Sequence, residues 1–258
     1  MATSSRPIQS VSTLDLYNRW AKVYDTDGNM LQSIDDLLLP VLLEQALSSI
    51  SSDSAITITE VGCGTGRNTS KLLSLPPSTV KIAEINALDL SPQMLDIAKS
   101  RYSSLITQSA PNVSFHVFDA LAPDQGSDID QLRGKADIVL STLVLEHLPV
   151  DAFFTTCASF LKSSGLLIVT NMHAEMGKRS QAGFLDTDGD TKVQGESHNY
   201  ETDEVIMAGR KAGFEILDGG LTERGIEESD LQTRAVGERG RKWVGCKVWF
   251  GGTFRYTD

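Results

Sequence analysis

The 258-residue chain predicts a doubly wound α/β fold, a seven-stranded, mostly parallel sheet behind an N-terminal helical cap. Three observations predict it. Short apolar runs rich in β-branched residues recur along the chain, and most lead through a polar loop into a helical stretch. The first, Ile56 to Val61, opens into three alternate glycines, Gly62, Gly64 and Gly66. Without a Cβ the backbone can turn tightly there and approach a ligand. The second run ends at Asp89, about twenty residues past the glycines, where nucleotide-binding sheets place a carboxylate on ribose hydroxyls.

Composition narrows the function. The formal net charge is −11 and the pI about 4.8. That disfavours nucleic acid, whose phosphates need Lys/Arg patches, and an anionic membrane surface. No apolar run approaches spanning length. Cys63, Cys157 and Cys246 show neither disulfide nor zinc spacing, so no metal site is expected and a reducing, cytoplasmic setting suits them. A small-molecule partner is expected, with the chain a monomer or homodimer. Residues 1–13 are expected as a flexible tail, 14–50 as the helical cap and 51–258 as the main domain, with an insertion at about 172–200.

Each element has its own signal. Leu14, Tyr17, Trp20, Ala21 and Tyr24 form a stripe at helical spacing, either packing on the domain or closing over a ligand. Asp27-Gly28-Asn29 breaks that helix, and a second runs from about Leu31 to Ile50, interrupted at Pro40. Arg67 to Leu75 reads as a helix ending before Pro76 and Pro77. The second strand covers about Lys81 to Leu90. Ser91 then caps a helix that has Pro92 at its first position. Asn112 to Phe118 is the third strand, followed by Asp119-Ala120 and an acidic linker, 123–134. The fourth is Ala136 to Leu143, leading into Val144-Leu-Glu-His-Leu-Pro149 and a helix over 151–161. Gly165 to Thr170 is the fifth strand. Helix 201–213, strand 214–218, a charged helix or loop at 223–242 and a last strand at 247–255 complete the domain.

The glycine spacing separates nucleotide classes. The dinucleotide fingerprint needs glycine at the sixth place, where this chain has Arg67, and Gly-Lys-Ser/Thr is absent. Glu60-x-Gly-x-Gly-x-Gly66 after a strand resembles the first motif of the class I S-adenosylmethionine (SAM) methyltransferases. Asp89-x-Ser-Pro-x-Met-Leu95 resembles their second motif. Residues 17–25, Tyr-Asn-Arg-Trp-Ala-Lys-Val-Tyr-Asp, look like the aromatic opening of many small-molecule members, except that Asn18 stands where they have Asp. Leu145-Glu-His-Leu148 resembles the segment after their fourth strand. The Asn/Asp-Pro-Pro-Tyr/Phe of DNA amino-methyltransferases is missing there.

The resemblance implies a Rossmann-like methyltransferase fold that binds SAM and releases S-adenosylhomocysteine. It implies cofactor contacts from Tyr17, Trp20, Tyr24, Glu60, Gly62, Cys63, Gly64, Gly66, Asp89, Leu90, Met94, Asp119, Ala120, Ser141, Leu143 and His147. Glu60 would help hold the SAM amino group, and Asp119 would receive the adenine amine. In related enzymes an insertion after the fifth strand shapes the acceptor pocket, so Met172, His173, Met176, Gln181, Phe184, His198 and Tyr200 are candidate acceptor contacts. Methyl transfer to oxygen or nitrogen calls for a base. His147, His173 and His198 are the choices that titrate near neutral pH, with Glu146 and Glu175 behind them. His173 is preferred because it follows the strand that edges the acceptor site. The alternative is a non-methylating relative that keeps SAM as a structural or pericyclase-type cofactor.

Overall fold

The computed structural model describes residues 7–50, 55–75, 81–105, 110–122, 126–186 and 188–257. The strands are β1 (Ile8–Ser10), β2 (Ile56–Val61), β3 (Ile82–Asp89), β4 (Asn112–Val117), β5 (Ala136–Thr142), β6 (Leu161–Met172), β7 (Gly183–Leu185), β8 (Lys192–Gln194), β9 (Phe214–Ile216), β10 (Thr222–Gly225) and β11 (Lys247–Tyr256). The helices are α1 (Thr13–Trp20), α2 (Met30–Ser48), α3 (Arg67–Leu73), α4 (Pro92–Ser103), α5 (Ser127–Asp130), α6 (Val150–Phe160), α7 (Ala174–Gly177), α8 (Thr202–Lys211) and α9 (Glu228–Gln232). Short 3₁₀ turns cover Leu145–His147 and Glu238–Trp243.

The main sheet has the order β10-β11-β6-β5-β2-β3-β4, with β9 also paired to β11. Strands β4, β3, β2, β5 and β6 run parallel, and β11 adds antiparallel to β6. This is the expected mostly parallel sheet with eight strands rather than seven. The extra one, β10, begins the charged stretch read as helix or loop, and Glu223 pairs there with Phe250. The strands carry apolar side chains on both faces, as a sheet covered on both sides requires. Ile138, Leu140, Leu166 and Ile168 pack with α2 on one face, while Val139, Leu167 and Val169 pack with α6 and α8 on the other.

Two expectations are corrected. Helix α2 runs unbroken through Pro40. The carbonyl that Pro40 deprives of a partner belongs to exposed Asp36, where water can satisfy it, and buried Leu39, Leu42 and Leu43 clamp the helix on either side. Within the stretch read as a tail, Ile8–Ser10 pairs parallel to Lys192–Gln194, which pairs antiparallel to Gly183–Leu185. Leu16 and Trp20 of α1 pack with Phe184 and Val193 behind this small sheet. The region 172–200 therefore has strands of its own, too short to show a period. Pro76, Pro77 and the start of the acidic linker lie outside the described residues. Among the described residues no helix is long and apolar enough to cross a membrane.

The cap is fixed by one carboxylate. Asp35 of α2 is fully buried. Its Oδ2 accepts from Arg67 Nη2 at 3.0 Å, and its Oδ1 accepts from Thr170 Oγ1 at 2.6 Å and Trp249 Nε1 at 3.2 Å. Asp35→Ala takes one of two carboxylates from half-buried Arg67 and leaves the Thr170 and Trp249 donors without their acceptor. Urea denaturation is expected to show a loss of about 3 kcal/mol, the cost of breaking a buried pair from one side. A loss below about 1 kcal/mol, the size of an ordinary surface ion pair, contradicts this assignment.

Candidate active site

The glycine loop leaves β2 with Gly62, Gly64 and Gly66 at φ of 79°, 56° and 76°, all in the left-handed region. Two of them also need space. A Cβ on Gly62 would lie 2.2 Å from Val144 Cγ2, and one on Gly66 3.0 Å from Ala98 Cβ in α4. Gly64 has nothing within 4 Å of that position, so it is the one whose open side can cradle a ligand. Asp89 holds the loop from across the sheet: Oδ2 accepts from Gly64 N–H and Oδ1 from Ser91 N–H, each at 2.8 Å. Ser91 caps α4, and its hydroxyl donates to Asn18 Oδ1 at 2.6 Å, so Asn18 ties α1 to this corner.

A cavity of about 150 Å³ opens at the carboxyl ends of β2, β3 and β5. Of the residues expected at the cofactor, Tyr17, Tyr24, Gly62, Gly64, Asp89, Leu90, Met94, Asp119, Ala120, Leu143 and His147 line it. Trp20, Glu60, Cys63, Gly66 and Ser141 do not. Glu60 is buried and accepts from Thr69 Oγ1 at 2.5 Å. Ser141 donates to the Val61 carbonyl, and Cys63 packs among Ala87, Leu95 and Phe115. Thr13, Val61, Phe118, Leu121, Thr142, Val144 and Leu148 complete the lining.

A second cavity of about 80 Å³ shares Tyr17, Tyr24 and Leu143 with the first. Met172, Met176 and Gln181 line it, as does Trp20. Phe184 stands behind, stacked on Trp20 at 5.5 Å between ring centroids. His173, His198 and Tyr200 line neither cavity. His173 caps α7, with Nδ1 accepting from Glu175 N–H at 3.0 Å and Nε2 3.1 Å from Glu223 Oε1, so both ring nitrogens are engaged away from the site. His198 stacks on Tyr200, whose hydroxyl donates to the Leu148 carbonyl and accepts from Val150 N–H. Arg239, Lys242 and Trp243 also border the second cavity. Arg239 and Lys242 come from the charged stretch 223–242 and Trp243 directly follows it; only the tertiary fold brings them here.

The wall between the cavities is strained and charged. Leu143 has φ 57°, an uncommon conformation for a bulky residue, held by its N–H bond to the Thr170 carbonyl at 2.8 Å. The next turn points neighbouring side chains apart, so that Glu146 lines the smaller cavity and His147 the larger. His147 Nε2 lies 2.7 Å from Tyr17 Oη and 3.5 Å from Glu146 Oε1. Glu146 is 4% exposed, and its Oε2 has no hydrogen-bond partner. Burial pushes its carboxyl up to about 7, against a backbone hydrogen bond from Met172. Burial pushes His147 down to about 4 and raises Tyr17 well above its ordinary range. Asp89 is raised by burial to about 6 despite its two N–H donors, and Glu60 to about 7 despite Thr69.

Among the described residues neither Asp89 nor Glu146 has an ion pair with a Lys or Arg, and carboxylates in that state fit a cationic ligand. SAM is such a ligand, with a sulfonium and an ammonium, and the open face of Gly64 and the strand-end Asp89 suit its shape. The same groups set a pH dependence. Folded, these carboxyls hold protons at a higher pH than unfolded, so the stability they contribute is full in acid and is lost as pH rises through about 6 to 7; the lowered His147 opposes this between about 4 and 6.5, one group against three. The ligand-free protein is expected to melt lower at pH 8 than at pH 5.5. SAM is expected to reduce that difference, and a melting point that rises with pH over this interval would contradict it.

Comparison with known proteins agrees. A methyltransferase-domain family model matches residues 59–167. An uncharacterized methyltransferase of Emericella nidulans is 40% identical over 95% of this chain and 91% of its own length. A malonyl-[acyl-carrier protein] O-methyltransferase of Bacillus cereus is 26% identical over 70% of this chain and 60% of its own length. The magnesium protoporphyrin IX methyltransferase of Synechocystis PCC 6803, solved with bound S-adenosylhomocysteine, shares the fold at TM-score 0.57 and 14% identity, covering 95% of this chain and 97% of that one. The chain therefore belongs to the class I SAM-dependent methyltransferases, and SAM is its cofactor.

Proposed function

We propose that the protein methylates an oxygen or nitrogen of a small molecule held in the smaller cavity, with SAM in the larger one. The observation that carries this is Glu146, whose buried carboxylate has an unpartnered oxygen and borders the cavity sharing three walls with the cofactor's. When bound, SAM supplies an electrophilic sulfonium methyl group. The protein's residues do the rest. Asp89 and Asp119 line the larger cavity and would hold the ribose and adenine. Tyr17, Tyr24 and Leu143 would exclude water between the two ligands. Glu146 would take the proton from the acceptor hydroxyl or amine, and at about 7 its carboxyl is matched to proton transfer near neutral pH. His147, neutral at that pH, would keep Tyr17 in place through the 2.7 Å contact. The cap over 14–50 and the insertion over 172–200 would enclose the acceptor.

Two experiments test this. Calorimetric titration of Asp89→Ala is expected to lose SAM binding that the parent protein shows, and equal affinity would remove Asp89 from the site. For an acceptor found by S-adenosylhomocysteine release, kcat/KM is expected to rise with pH through an inflection near 7, because the base must be ionised. Glu146→Gln is expected to lose that inflection and about 10²–10⁴-fold in kcat, the usual share of a general base, while SAM affinity is kept. An unchanged profile would remove Glu146 from the chemistry. Conversion of a ligand without S-adenosylhomocysteine release would favour the non-methylating alternative.

A further inference from the structure

The smaller cavity is lined by groups of opposite charge. One is the buried carboxylate of Glu146, with Leu143, Met172 and Met176 in the same lining. The others are Arg239 and Lys242, exposed side chains that the 3₁₀ turn Glu238–Trp243 brings to the same cavity. Lys242 makes no ion pair among the described residues, and its ammonium lies 4.9 Å from the Trp243 ring centroid. Arg239 reaches back across the sequence to the Asp27 carbonyl, with its guanidinium 3.5 Å from Asp27 Oδ2. That carboxylate is already shared, since it accepts from Trp20 Nε1 and Asn29 N–H. Lys242 is held below its ordinary range by partial burial and by the charges of Arg239 and Lys192. In a chain with 34 acidic and 23 basic residues, Arg239, Lys242 and Lys192 gather here and repel one another, and among the described residues only Arg239 of the three has an ion pair.

We infer that this rim binds an oxyanion, a carboxylate or phosphate, carried by the acceptor at the end remote from the methylated atom. The inference rests on the smaller cavity being the acceptor site. The acceptor then has two handles, an O–H or N–H directed to Glu146 and an anionic group directed to Lys242 and Arg239. A neutral analogue leaves the rim charges unrelieved, so the rim selects charge as well as size. Guanidinium and ammonium together suit a planar carboxylate or a tetrahedral phosphate equally, and the test separates the two.

The test is calorimetric titration of the protein, saturated with S-adenosylhomocysteine, with malonate, inorganic phosphate and neutral malonamide. Malonate or phosphate is expected to bind, malonamide not, and Arg239→Gln/Lys242→Gln to weaken the anion at least tenfold while S-adenosylhomocysteine affinity stays within twofold. Preference for malonate identifies a carboxylate acceptor, and preference for phosphate a phosphorylated one. Absence of anion binding, equal binding of malonamide, or binding unchanged in the double variant overturns the inference. Glu146→Gln is the separating control: anion binding retained there alongside an unaltered pH–rate profile would fault the assignment of the base and leave the rim site standing.

Discussion

Four segments far apart in sequence meet on Asp35. Helix α2 supplies the carboxylate, the helix after the glycine loop supplies Arg67, β6 supplies Thr170 and β11 supplies Trp249. A carboxylate with no water access persists only when its oxygens are satisfied, so each donor is held in turn. The constraint passes outward to the site. The Thr170 carbonyl accepts from Leu143 N–H and so helps keep that residue at positive φ. Asn68, next to Arg67, donates to Thr142 Oγ1 at 2.8 Å. The strand end that separates the two cavities is thus braced through Asp35 of the cap helix.

Charge is arranged with the same economy. Half-buried Asp89 lines the larger cavity with no ion pair among the described residues, while the smaller one is lined by buried Glu146 and by the cations Arg239 and Lys242. Away from water such groups cost stability until a group of opposite sign arrives.

The fold and most of the cofactor cavity were legible in the sequence because they depend on local signals. Three glycines need positive φ, Asp89 and Asp119 follow β-branched runs, and Ser91-Pro92 opens a helix. Glu60 and Ser141 were misplaced because a strand residue's face is set by pairing, and both turn into the protein to satisfy Thr69 and the Val61 carbonyl. The acceptor side was less legible. His173 lies next to the correct strand, but the start of α7 takes one ring nitrogen and Glu223 the other. Glu146 ranked below the histidines because its titration near neutrality comes from burial alone. Arg239 and Lys242 come from a stretch whose periodicity says nothing about where it docks.

The small sheet of β1, β8 and β7 links two separate parts of the chain above the cavities. It joins the segment ahead of α1 to the insertion after β6, and Trp20 stacks on Phe184 between them. Tyr17 and Tyr24, on the same N-terminal stretch, border both cavities. The cover over the larger cavity and the cover over the smaller one are therefore tied together by one small sheet and one aromatic stack, so displacing either strains the other.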